Sequence, residues 1–263
     1  MTQLSYDRYC DEIIRQTALL ISAVTDADLT APVPSCPGWT TGRLLRHVGD
    51  VQRWAGSTVA SRATRPRRVE RSHDRPAGSA DDPAVLGSWL ASGAQALAGA
   101  LREAGPGTPV WTPVPGGTTD FYARRFTHET AIHRADAALA AGAEYDVDAD
   151  VALDGIDEWL ELGSRSAPFE IGPKLQALLG PGRTLHLHAT DTPPQASAEW
   201  LVDLTGSTVV WRRGHEKAAV AVRGPLTGLL LVIYNRRPAH GHGIEVFGDT
   251  ALLDFWLERV SFG

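Results

Sequence analysis

Lysine is nearly missing from this chain of 263 residues: Lys174 and Lys217 are the only two, against abundant arginine. GC-rich coding produces that balance, and it excludes no chemistry. Cysteine is as rare. Cys10 and Cys36 stand alone, at a spacing that suggests neither a disulfide framework nor a zinc knuckle. One methionine beside eight tryptophans argues for rigid packing over an adaptable Met-lined surface. Positive charge is not in excess either. With 31 acidic and 25 basic residues the net charge is −6, so a general nucleic-acid footprint is not expected. No stretch approaches the roughly 18 uninterrupted apolar residues of a membrane span. The opening MTQLSYDRYCDEII lacks the basic-then-apolar order of a secretory leader. The expectation is a cytoplasmic protein with neither membrane nor nucleic acid as partner.

What is there suffices for a core: 43% of residues are hydrophobic and 21% charged. The first half reads helical. Tyr6, Cys10, Ile13, Ile14, Ala18 and Ile21 recur near helical spacing in the first segment, which breaks at Asp26. APVPSCPGWT is a Pro-rich loop, after which Thr40 or Thr41 can cap a second helix carrying Leu44, Leu45, Val48, Val51 and Trp54. A long polar stretch leads to a third helix, with two aspartates ahead of Pro83. After a Pro/Gly-rich loop, RRFTHETAIHRADAALAAG, residues 124–142, makes the fourth. Four helices with such connections suggest a bundle. The second half begins with a helix in VALDGIDEWLELGSR. Short alternating runs follow, RTLHLHAT, AEWLVDL, STVVWRR and AAVAVR, and these read as antiparallel strands. An apolar helix in PLTGLLLVIYNRR, a strand in GIEVFG and a terminal helix complete the chain. The fold class is α+β: a helical domain over residues 1–146, then a smaller α+β domain on an antiparallel sheet over 147–263.

The fourth helix holds the chemistry. Glu129 and His133 lie four residues apart, one turn up the same face, where a carboxylate and an imidazole can share a metal ion. A catalytic zinc takes three protein ligands and keeps one position open, so a third donor must come from elsewhere. His47 is the best candidate, mid-helix beside apolar residues, and inward polar side chains on separate helices build metal sites in bundles. Asp50, one turn later, could orient it. His128 points about 100° away from Glu129 and belongs outside. Glu-x-x-x-His pairs also arise on ordinary helices, so spacing alone leaves a metal site and a plain polar surface both open.

Three motifs taken together, VPSCPGWTTGRLLRHVGDVQRWA, RRFTHETAIHRADA and the C-terminal RTLHLHATD with EWLVDL, VRGPLTGLLLVIYNRRP and IEVFGD, resemble the mycothiol-dependent maleylpyruvate isomerase family of actinobacteria. The resemblance spans nearly the whole chain. It implies a DinB-like four-helix domain, a small C-terminal domain of sterol-carrier type covering the site, and zinc held by His47, Glu129 and His133. It also implies mycothiol as thiol cosubstrate, activated as a thiolate on the metal, and a small electrophilic substrate. An isomerase would add the thiolate to a conjugated cis double bond, let the bond rotate and eliminate it. An S-transferase would release the adduct. Where relatives carry GR this chain has NRRP. Arg236 aligns as the residue that would hold a substrate carboxylate, Asn235 replaces the glycine, and Arg237 is a rival.

Other features read more plainly. Arg62, Arg65, Arg67, Arg68, Arg71 and Arg75 suit a solvated loop, Cys36 a loop-packing role, His240 and His242 a turn, Trp39 and Trp54 the bundle core. Two other classes fit the same donors. Two histidines and a carboxylate also serve non-haem iron oxygenases and some zinc hydrolases, and a site closed by a fourth ligand such as Asp50 would be a structural zinc in a regulatory module. The identity of the acceptor and the oligomeric state are not encoded in these patterns.

Overall fold

The computed structural model describes residues 3–69, 71–76, 82–164 and 176–260. It divides into two compact units, Leu4–Tyr145 and the chain from Asp146 onward.

The first unit is built on α1 (Tyr6–Ala23), α2 (Thr41–Ala60), α3 (Pro83–Ala104) and α4 (Thr119–Ala140). Each of the first three starts on a side-chain cap. Ser5 accepts from the Arg8 amide, Thr40 from Arg43 and Asp82 from Ala84, and Pro83 fills a position whose N–H would have no helical partner. Thr40 is therefore the cap of α2, and Thr41 is its buried first residue. Of the two aspartates ahead of Pro83, Asp81 lies outside the described residues. α4 begins five residues before the expected start, taking in Phe121 and Tyr122. It is not amphipathic: Tyr122, Phe126, Thr130, Ile132, His133, Asp136 and Ala137 are all buried. A helix covered on most sides has no single apolar stripe from which to read its ends.

α2 and α3 approach closely at Gly49, where a Cβ would collide with the Trp89 indole at 2.0 Å. A polar strut crosses the bundle one turn further on. The Gln52 amide, wholly buried, donates to Thr17 Oγ1 of α1 at 2.9 Å and to Thr130 Oγ1 of α4 at 3.2 Å. Paired on both sides, it ties three helices together beside Glu129 without leaving those donors dry. α3 contains a window long and apolar enough to cross a membrane by composition, but half of that window is buried in the bundle.

The second unit runs α5 (Ala149–Ser164), β1 (Thr184–Ala189), β2 (Glu199–Asp203), β3 (Val210–Arg213), β4 (Val220–Gly224), α6 (Leu226–Ile233), β5 (Glu245–Gly248) and α7 (Thr250–Val260). The α+β class is as expected; the sheet is mixed, which corrects the antiparallel expectation. In the order β3-β2-β1-β4-β5, three pairings are antiparallel and β1–β4 is parallel. Alternation reveals which face of a strand is buried, not the direction of its neighbour. Leu185, Leu187, Trp200, Val202, Val220 and Val222 form the buried face. α6 packs on β1 and β4, α5 on β3 and α7 on β4. Asp157 of α5 anchors the sheet, accepting from Trp200 Nε1 at 2.7 Å and Arg213 Nη2 at 2.8 Å.

α6 ends where NRRP begins. Asn235 takes the left-handed conformation, φ 57°, its amide donating to the Val232 carbonyl and that of Arg236 to Leu231. That is a Schellman turn, and asparagine is the residue after glycine that best tolerates it. The exchange of Gly for Asn therefore preserves the backbone.

Candidate metal centre

Thr40 starts α2 so that His47 lies almost two turns in, and α4 carries Glu129 and His133 one turn apart. The structure brings all three together: one donor atom from each lies within 4.8 Å of the others. Both imidazoles aim Nε2 at the same carboxylate oxygen, Glu129 Oε1, at 3.5 Å from His47 and 3.2 Å from His133. The other carboxylate oxygen is held by Arg125 Nη2 at 3.4 Å. The two rings stand nearly perpendicular, centroids 5.0 Å apart.

The back of the site is built as firmly. His133 Nδ1 lies 2.9 Å from Oδ2 of Asp136, a wholly buried carboxylate one turn up α4. In the neutral ring that bond places the proton on Nδ1 and leaves the Nε2 lone pair for the cluster. Asp136 also accepts from Ser35 Oγ at 2.7 Å and Cys36 Sγ at 3.3 Å, so the Pro-rich loop is fastened to the same carboxylate. Trp39 forms a wall, stacked beside His133 at 6.1 Å and edge-on to His47 at 4.9 Å, with Arg43 over its ring.

The electrostatics follow from these partners. Burial alone would raise the Glu129 pKa, but hydrogen bonds to His133 and His47 and the charges of His133 and Arg125 hold it well below the carboxylate range. Burial would lower that of His133, yet Asp136 and Glu129 outweigh it and lift it to about 9. Without a cation, a proton on His133 supplies the positive charge that the two carboxylates demand. Two imidazoles and a carboxylate converging from two helices, with His133 buried and His47 a third exposed, suit a divalent metal of the zinc class.

The sequence matches two family descriptions in chain order: "Mycothiol maleylpyruvate isomerase N-terminal domain" over residues 10–138 and "MDMPI C-terminal domain" over residues 150–255. The chain belongs to the mycothiol-dependent maleylpyruvate isomerase family. Two solved structures share its fold. One is a crystal structure of the mycothiol-dependent maleylpyruvate isomerase, at TM-score 0.57, and one is that of a histidine-to-alanine mutant, at 0.59. Each is 16% identical and covers 94% of this chain and 95% of its own. No curated protein matches the sequence.

Within this maleylpyruvate isomerase fold, the remaining expected residues sort clearly. His128 is buried edge-on to Tyr9 at 6.4 Å and is not part of the His47–Glu129–His133 group. Asp50 does not orient His47. It accepts from the Ser72 amide at 3.0 Å and pairs with Arg75 at 3.2 Å, drawn away by a loop whose path the sequence does not disclose. Arg67, Arg68 and Arg71 line a cleft of about 470 Å³, while Arg62 and Arg65 are exposed. Trp54 bonds the Arg67 carbonyl through Nε1, and His240 and His242 lie exposed on a turn. Arg236 lies in the second unit, its Nη1 donating to the Tyr234 carbonyl at 2.7 Å. Sequence reasoning missed Asp136, Cys36 and Trp39 as members of the site. Asp136 was findable, since it follows His133 by three residues on the same helix. The loop residues were not, because only the fold carries them to α4.

Proposed function

We propose that this chain is a metal-dependent enzyme using mycothiol as thiol cosubstrate on a small electrophile, as the name of its family describes. The observation that carries this reading is the convergence of both Nε2 atoms on Glu129 Oε1, with Asp136 and Arg125 holding the donors from behind. His47, Glu129 and His133 would hold zinc. A bound zinc lowers the pKa of a thiol or water ligand and polarises carbonyls. The chain's own residues do the rest. Glu129 offsets the charge of the cation, Asp136 keeps the His133 lone pair directed forward, and Trp39 shields one side from water. An activated thiol that adds to a conjugated cis double bond and is eliminated after rotation gives isomerisation. Attack with release of the adduct gives S-transfer.

A structural zinc would be closed by a fourth protein donor. Among the described residues the cluster has three, and Asp50 is engaged elsewhere, which favours an open catalytic position. For the substrate carboxylate we propose Arg236, on the strength of the family resemblance. The deciding experiment measures zinc content and mycothiol-dependent isomerisation of maleylpyruvate for the native chain and for His133→Ala. Loss of both in the variant is expected. Equal zinc in the two proteins, or turnover indifferent to mycothiol, would overturn the reading.

A further inference from the structure

A second cluster of the same donor types lies wholly within the C-terminal unit. His186 and His188 are two residues apart on β1 and so share a face, the one opposite the apolar core. Glu199 on β2 pairs directly with His188 across the antiparallel ladder. The fourth member arrives from β3. The Gly214 amide bonds the Glu199 carbonyl at 3.0 Å, prolonging the ladder, and at φ 155° Gly214 adopts a backbone that favours glycine. His215 follows it and swings over the same face.

Three ring nitrogens then meet one oxygen. Glu199 Oε2 lies 2.6 Å from His215 Nδ1, 3.0 Å from His186 Nε2 and 3.5 Å from His188 Nδ1. A carboxylate oxygen has two lone pairs, so three N–H donors cannot all be satisfied there. The misfit falls on His186. It is 5% exposed, and its Nε2, although 3.0 Å from the carboxylate, has no hydrogen-bond partner among the described residues. That leaves a buried ring nitrogen with its hydrogen-bonding capacity unused beside the carboxylate, which is the kind of group a bound cation would satisfy. Donor atoms of His186, Glu199 and His215 all lie within 4.8 Å of one another.

We propose that His186, Glu199 and His215 form a second site for a divalent first-row transition cation with a preference for imidazole, with His188 at its edge as a fourth donor. The donor set suits zinc, nickel or copper over calcium or magnesium, which take oxygen ligands. With His215 74% exposed, the site opens to solvent, so it can load after folding. The site shares no residue with the bundle cluster.

The test titrates the metal-stripped full-length protein with zinc against a chromophoric chelator, and then with cobalt for its visible absorption. Native protein is expected to bind two equivalents. His215→Ala, chosen because an exposed side chain is replaceable without harm to the fold, is expected to weaken one of them at least tenfold. Glu199→Gln is expected to do the same, with the circular dichroism spectrum of each variant unchanged. His133→Ala is expected to retain the equivalent that these two lose. A single equivalent that vanishes in His133→Ala and is untouched in His215→Ala overturns the proposal, as do two equivalents unaltered by either sheet variant. A native protein that binds a single equivalent, kept by His133→Ala and lost in His215→Ala, supports the proposal and overturns the bundle assignment instead.

Discussion

The bundle and the sheet each gather imidazoles around one glutamate, yet they support them differently. In the bundle, two of the three donors carry a further bond behind them: Asp136 behind His133, Arg125 behind Glu129. Those partners are buried or half-buried, and the α1–α2–α4 strut at Gln52 sets the distance between the helices. On the sheet, three rings crowd one oxygen, with His215 exposed, and among the bonds described none orients a ring from outside the cluster. Similar donors can therefore make a preorganised centre in one place and an adaptable one in another. Catalysis draws on the first kind, since reorganisation at the moment of reaction is what fixed partners avoid.

The largest effect expected breaks the bundle side alone. His133→Ala should lower mycothiol-dependent turnover by on the order of 10³-fold, because the metal contribution to the chemistry goes with it. Next, Asp136→Asn tests whether the support behind the ring matters. Zinc affinity at the bundle should fall about 10–100-fold while the sheet equivalent stays as it was. Equal affinity in the variant and the native chain would leave the two clusters alike in this respect. A third measurement uses acidity. The folded pKa of His133, about 9, exceeds its ordinary value of 6.5, so its proton stabilises the metal-free fold. That contribution is complete below pH 6.5 and is lost as pH rises through about 9. The unfolding temperature of the stripped protein should fall across this interval, and zinc uptake near neutrality should release a proton, read by calorimetry in buffers of different ionisation enthalpy. A flat profile would mean that the bundle carboxylates are neutralised otherwise. The smallest effect lies apart from both clusters: Asn235→Ala should cost roughly 1 kcal/mol, and Asn235→Gly nothing measurable, in denaturant unfolding.

The legible parts of the sequence were those governed by local rules. Glu129 and His133 can be singled out because one turn of helix puts i and i+4 on one face, His47 because it lies mid-helix beside apolar residues, and the second and third helices announce themselves through Thr40 and the aspartates ahead of Pro83. What was hidden depends on contacts far apart in the chain. Asp50 reads as a partner for His47 by spacing, but Ser72 and Arg75 engage it instead. Cys36 reads as filler until the loop docks against α4. The parallel β1–β4 pairing was hidden because the same alternation serves either strand direction. RTLHLHAT reads as a strand from its alternation, but only the sheet register puts its histidines beside Glu199.

Asp136 fastens the Ser35–Cys36 loop and the His133 ring with the same two oxygens. The loop leads into the helix bearing one imidazole, and the carboxylate grips the other. Any substitution that loosens this clasp, even at Ser35 on the rim, would let the two halves of the centre wander relative to each other. Tolerance to mutation in that loop should consequently track metal retention more closely than it tracks thermal stability.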